Sequence, residues 1–286
     1  MKNHPILDTG PETPDQMIEV QDLIHTYPNG TRALNNVSIT VGMHEKLAII
    51  GQNGSGKTTL VKHFNGLLKP TQGRVLVRGE DTRKCKTAHL ATMVGYVFQN
   101  PNHQLFCVSV REELQFGLRN LRLSPAEIKH GTEETVELFH LQPYLDIHPY
   151  SLSLGARKLV AIASVYATGP QLMILDEPTT GQGYKSKRIL SQAIDQVYQG
   201  GRSIVFVSHD MNFVAEHSSR AVVMSNARII FDGQLRDLFI REDVLREAKL
   251  CPPQITELAQ RMSDLGIRPD VLNVPEMIEE IRRCKQ

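Results

Sequence analysis

The chain has 286 residues, with 32 Lys and Arg against 31 Asp and Glu for a formal charge of +1. That length can bury a large core, as one α/β domain with an appendage or as two compact units at most, and the balanced charge argues against the basic stripe of a nucleic-acid binder. Cys85, Cys107, Cys251 and Cys284 lie far apart without a C-x-x-C pair, which disfavours a zinc site or disulfide framework, fits a reducing cytosol and leaves each as a small apolar side chain.

Residues 1–16 carry prolines and acids but no apolar core, so a disordered tail is expected rather than a signal peptide. No run approaches the roughly 18 consecutive apolar residues of a membrane span, so any membrane association is expected to be peripheral. Residues 18–20 and 33–41 alternate as strands around the turn Tyr27-Pro28-Asn29-Gly30, which predicts a small antiparallel sheet. The apolar run 47–50 then leads into Gly51-Gln52-Asn53-Gly54-Ser55-Gly56-Lys57-Thr58, which fits G-x-x-x-x-G-K-[ST]. In such a loop the glycines let backbone N–H groups converge on phosphate oxygens, Lys57 brings charge to the β- and γ-phosphates, and the Thr58 hydroxyl can ligate Mg²⁺. A helix over about 58–68 should point its positive end at the phosphates.

Residues 74–77 and 94–98 read as further short strands, and from Pro101 to about Ser164 the pattern turns helical, with helices over 110–118, 125–141 and from near Ser153. Residues 172–175, 203–207 and 221–224 are apolar runs of a buried parallel sheet. Beyond Phe239 the spacing predicts short amphipathic helices. The expected fold is therefore α/β: a phosphate-loop NTPase core with an antiparallel β subdomain, an inserted helical subdomain over about 101–165, and a C-terminal helical extension over 241–286.

Leu172-Met173-Ile174-Leu175-Asp176-Glu177 is a buried strand ending in two acids, the Walker B pattern. Two acids closing a strand could be a capped turn; downstream of a phosphate loop they read as a magnesium-shell residue, Asp176, and a water-activating base, Glu177. Gln99 and His209 each follow a predicted strand and would complete a γ-phosphate ring if those strands are adjacent. Tyr27 could stack on adenine or pack on the small sheet.

Tyr27, the loop Gly51 to Thr58, Gln99, Leu152-Ser153-Leu154-Gly155-Ala156, Leu175-Asp176-Glu177-Pro178-Thr179 and Ser208-His209-Asp210 occur in the order of the ATP-binding cassette ATPases, and the resemblance covers about residues 17–240. Gln99-Asn100-Pro101-Asn102-His103-Gln104-Leu105-Phe106 with residues 110–117, and Pro252-Pro253-Gln254-Ile255-Thr256, look most like the energy-coupling factor subfamily that drives cobalt, nickel and vitamin uptake.

The resemblance implies an ATP hydrolase coupled to transport. By that resemblance it would work as a dimer of ATPase subunits on the cytoplasmic face of the membrane, with an integral membrane subunit and a separate substrate-capture subunit, using ATP and Mg²⁺. It further implies that Tyr27 stacks adenine, that Gly51, Asn53, Gly54, Ser55, Gly56, Lys57, Thr58 and Thr59 form the nucleotide loop, and that Thr58, Gln99 and Asp176 surround Mg²⁺. Glu177 would be the base, His209 would contact the γ-phosphate, and Ser153 and Gly155 would reach the partner's ATP.

Two segments depart from the family. Leu154 and Ala156 replace residues of the LSGGQ signature, putting a side chain where backbone should approach phosphate, and Gly183 stands where the loop after Walker B normally ends in aspartate. A degraded signature harms only the site it faces, so a heterodimer with an intact-signature partner is favoured over a homodimer. Rival readings are a regulatory cassette with low turnover, a cassette ATPase acting on DNA or ribosomes, and a small-metabolite kinase. Long coiled coils or a second cassette would mark the DNA or ribosome reading, and the sequence shows neither; a kinase would have an arginine-bearing lid and no signature segment, whereas residues 151–165 resemble the signature helix outside the two altered positions.

Overall fold

Two alternating strands and one continuous apolar strand set up the two sheets that frame the phosphate loop. The computed structural model describes residues 16–285; the expected tail falls on residues 1–15, outside the described residues, apart from Gln16, which opens the first strand. β1 (Gln16–Thr26) and β2 (Arg32–Gly42) pair antiparallel across the Tyr27 turn, where the Gly30 N–H donates to Tyr27 O at 2.9 Å. β3 (Lys46–Gly51) carries the apolar run, and the phosphate loop delivers the chain into α1 (Lys57–Phe64). This helix is shorter than expected because Asn65 caps it and Gly66, at φ +71°, turns the chain away.

β4 (Gln72–Val77) and β5 (Glu80–Asp81) complete the antiparallel sheet, and α2 (Thr87–Met93) leads to β6 (Val94–Val97). The inserted helices are α3 (Val110–Asn120), α4 (Pro125–Leu138) and α5 (Leu154–Ala167). Ser124 and Glu127 form a capping box on α4, which stops at Leu138 rather than 141 because Phe139 leaves helical geometry and His140 takes φ +52°. β7 (Leu172–Asp176), α6 (Tyr184–Gln199), β8 (Ser203–Val207), α7 (Met211–His217), β9 (Arg220–Ser225) and β10 (Arg228–Gln234) follow. Last come α8 (Leu235–Phe239), α9 (Glu242–Ala248), α10 (Gln254–Arg261) and α11 (Val274–Cys284).

The antiparallel sheet runs β2-β1-β4-β5, and the larger sheet runs β10-β9-β3-β8-β7-β6, parallel except where β10 pairs with β9. β3 therefore sits between β8 and β9, and β7 between β6 and β8. This order places the C-terminal ends of β3, β6, β7 and β8, and hence the phosphate loop, Gln99, Glu177 and His209, along one edge, the usual ligand edge of a parallel α/β sheet.

Both faces of the large sheet are covered, as its near-continuous apolar strands require. On one face Leu60, Val61 and Phe64 of α1 pack between it and the antiparallel sheet; on the other, α5 and α6 cover Leu175, Ile204 and Phe206. Val244, Leu245 and Ala248 of α9 share a core cluster with Ala48 and Ile50 of β3, whereas α10 and α11 close over a small separate cluster of Ala259, Ile267, Val271 and Met277. Cys251 and Cys284 are exposed, so the expectation that every cysteine serves as an apolar filler fails for these two.

Candidate active site

The phosphate loop is braced by its own lysine. Lys57 is buried and its Nζ donates to Gly51 O and Gln52 O, both at 2.7 Å, across the loop it closes. Burial lowers its pKa from the ordinary lysine value, while the nearby carboxylates of Glu177 and Asp176 oppose the shift. Gly51 and Gly56 have φ of +140° and +106°, and a Cβ at either would overlap a backbone carbonyl, that of Met224 or Ala33. Ser55 Oγ is buried with no hydrogen-bond partner, an orphan that costs roughly 1–3 kcal/mol unless a phosphate oxygen or water meets it.

A cleft of about 380 Å³ opens over this loop, lined among others by Tyr27, Asn53, Thr59 and Gln99. Gly54, Gly56, Lys57, Thr58, Asp176 and Glu177 also line it, so the structure brings most of the expected site together. Tyr27 Oη hydrogen-bonds Thr59 Oγ1 at 3.0 Å, and its ring meets His25 edge-on with centroids 4.7 Å apart.

Asp176 ends the fully buried strand β7, and the Thr58 hydroxyl donates to its Oδ2 at 3.1 Å. Tyr96 of β6 donates to the same oxygen at 2.7 Å. Burial, with Asp176 beside it, pushes the Tyr96 phenol far up, so it remains a donor. The Thr58 hydroxyl, the Asp176 carboxylate and the Gln99 side-chain carbonyl are hard oxygen donors of the kind Mg²⁺ prefers. The next residue, Glu177, has φ +48°, uncommon for a side chain this large and a form of strain that clusters at functional sites. Its Oε2 is buried and makes no hydrogen bond, with His209 Nδ1 in contact at 2.8 Å. His209 lines an adjoining groove of about 630 Å³, shared with Gln52, Asn53 and residues 249–254.

Two contributors escaped the sequence reading. Tyr96 is the one polar tip in the buried strand β6, a signal that a buried hydroxyl needs a partner. Lys158 of α5 is 1% exposed, and its Nζ donates to Phe98 O at 3.0 Å, Gln99 O at 2.6 Å and Asp176 O at 3.1 Å. Burial pulls it down to about 8, against the opposing charges of Asp176 and Glu177.

Ser153 and Gly155 lie apart from the cleft, at the N-terminus of α5. Ser153 Oγ accepts from the Ala156 N–H at 3.3 Å, which leaves its hydroxyl proton free to donate. Leu154 is 46% exposed and lies over Gly181, and Gln182 Nε2 donates to Gly155 O at 3.3 Å.

The ABC transporter family model matches residues 34–180. The chain belongs to the ABC transporter family. An ABC transporter ATP-binding protein of Caldanaerobacter subterraneus subsp. tengcongensis is 38% identical over 94% of this chain, which spans only 46% of that relative. The chain thus spans about half the length of some curated relatives it matches. An energy-coupling factor transporter ATP-binding protein of Methanoculleus marisnigri is 37% identical over 89% of this chain and 92% of its own length. Among solved structures, CbiO1 of Clostridium perfringens, described as part of the ABC transporter complex CbiONQ, is 32% identical with a TM-score of 0.72, covering 86% of this chain and 99% of that one.

Proposed function

We propose that this cassette is the ATP-binding and ATP-hydrolysing subunit of a membrane importer of the energy-coupling factor type, powering uptake of a vitamin or a transition-metal ion from the cytoplasmic face. The observation that carries it is the buried Oε2 of Glu177, which makes no hydrogen bond and meets His209 Nδ1 at 2.8 Å, beside the Thr58–Asp176 pair at the floor of the cleft. A carboxylate oxygen with its hydrogen-bonding capacity unused there is poised to accept a proton from water attacking a phosphate gripped by the loop.

In this reading Tyr27 stacks on adenine, residues 51–59 hold the phosphates, Glu177 is the base and His209 contacts the γ-phosphate. Thr58, Asp176 and Gln99 would hold Mg²⁺, which when bound neutralises phosphate charge. Ser153 and Gly155 serve the ATP of a second ABC subunit, and Leu154 and Ala156 favour a heterodimer. Leu154 also favours one alternative, a regulatory cassette with low turnover.

Among the described residues no helix is long and apolar enough to cross a membrane, so the membrane partner needs a docking surface. Beside the Gln99 loop, Phe106 is 64% exposed and meets Phe116 edge-on, with Val108 also exposed. The buried Glu113 carboxylate accepts from the Phe106 N–H at 2.6 Å and fixes this loop. An exposed apolar patch on a rigid loop suits a short helix from a membrane subunit. Cysteines placed along residues 102–116 should crosslink to a co-purifying membrane subunit; capture only from distant surfaces would refute the assignment.

A further inference from the structure

We propose that Lys158 is a positioning residue that ties α5 to the metal-side residues of this chain's own site, so that α5 cannot shift without moving the backbone of Gln99 and Asp176. The inference rests on the ATPase reading for its consequence but not for its geometry. Lys158 stands five residues into the helix that Ser153 caps, and all three donors of its ammonium end on main-chain carbonyls: Phe98 and Gln99 after β6, and Asp176 at the end of β7. No carboxylate makes a salt bridge to it among the described residues. A buried cation is costly, and packing alone would be served by a methionine or leucine of similar reach. What a cation adds is three strong donors at one point, where two strand ends present their carbonyls together.

A second link runs beside it. Gln104 Oε1 accepts from the Phe98 N–H at 3.1 Å, and Gln104 Nε2 donates to Ala161 O of α5 at 2.6 Å. Phe98 is therefore held to α5 at both its N–H and its C=O. The helix that offers Ser153 and Gly155 to the second subunit's ATP is the one that fixes Gln99 and Asp176 at this chain's own cleft.

The test uses the full chain carrying Lys158→Met or Lys158→Gln; glutamine keeps two N–H donors but loses the charge and one bond. Amide exchange is read without nucleotide, and the Mg²⁺ requirement is read by titrating a non-hydrolysable ATP analogue. Lys158→Met should speed exchange about tenfold across residues 97–101 while leaving α6 and the antiparallel sheet as they are. It should also raise the Mg²⁺ needed for half-maximal analogue binding about tenfold, with magnesium-free ADP binding kept within about threefold, the size expected for a support of metal ligands. Lys158→Gln should lie between, at about threefold on both measures.

Wild-type exchange and wild-type Mg²⁺ requirement in Lys158→Met overturn the proposal, as does faster exchange spread evenly over the chain, which marks a mere stability role. Equal damage from methionine and glutamine overturns it too. Should Lys158→Met not fold, Lys158→Gln is read by itself: a raised Mg²⁺ requirement with faster exchange confined to residues 97–101 supports the tie, and wild-type values on both overturn it. A wild-type chain that binds no nucleotide defeats the ATPase reading instead, and the exchange measurement still decides Lys158.

Discussion

His209 Nδ1 lies 2.8 Å from Glu177 Oε2 without forming a directed hydrogen bond, so a buried carboxylate oxygen and an exposed imidazole meet at the mouth of the phosphate cleft. The contact leaves Oε2 able to accept from water and leaves the imidazole able to turn toward a phosphate. Replacing His209 by alanine should lower kcat at least about tenfold while holding ATP affinity within about threefold, because the loop contacts are untouched. Steady-state hydrolysis beside fluorescent-nucleotide binding checks this; an equal loss in both would place His209 in ground-state binding.

Gly56 combines φ +106° with a Cβ position blocked by Ala33 O, a backbone atom that cannot swing aside. Gly56→Ala should therefore destabilise the loop by roughly 1–3 kcal/mol and weaken nucleotide binding. Thermal melting with and without nucleotide reads both effects, and a variant with wild-type melting and binding would contradict the loop geometry.

Burial holds His63 and His217 down to about 4, from 6.5 in the unfolded chain. The unfolded state therefore binds more protons between those values, and the stability contributed by the two neutral imidazoles is lost as pH falls from 6.5 toward 4. The slope is about 1.4 kcal/mol per pH unit for each histidine. Urea midpoints should drop between pH 7 and pH 5, and His217→Gln should shrink the drop; a flat midpoint would contradict the burial of both rings.

Leu154 and Ala156 occupy the signature positions, with Leu154 exposed at the N-terminus of α5. If they remove one hydrogen bond to a charged phosphate, the closed ATP sandwich loses roughly ten- to a hundredfold in stability. Restoring Leu154→Gly with Ala156→Gln should raise ATP hydrolysis by the isolated chain. Brisk hydrolysis by the unmodified chain, unchanged by the restoration, would remove the case for a heterodimer.

The phosphate loop and the acid pair were legible because each is contiguous: glycines, Lys57 and Thr58 carry their chemistry in local order, and a buried strand ending in Asp176 and Glu177 announces its own position. Tyr96 and Lys158 were not, because their partners are 80 and 18 to 60 residues away and only the order of β6, β7 and β8 brings them together. Taken by itself, Lys158 reads as a solvated helix face. The edge strand β10 and the short helices α2, α7 and α8 escaped for a different reason: β10 buries no residue and α2 only Leu90, while α7 and α8, though largely buried, are too short to show a helical period. Helix ends were set by backbone geometry at Gly66 and His140, which hydrophobic spacing does not encode.

The most direct test of the account measures nucleotide binding and ATP turnover side by side for wild type, Lys57→Ala and Glu177→Gln, each purified with its native partners. Lys57→Ala removes the ammonium that closes the loop and should abolish binding, whereas Glu177→Gln keeps the loop and loses only the proton acceptor. Glu177→Gln should bind ATP about as tightly as wild type and turn it over at least about a hundredfold more slowly. Undiminished hydrolysis by the Glu177→Gln complex would contradict it.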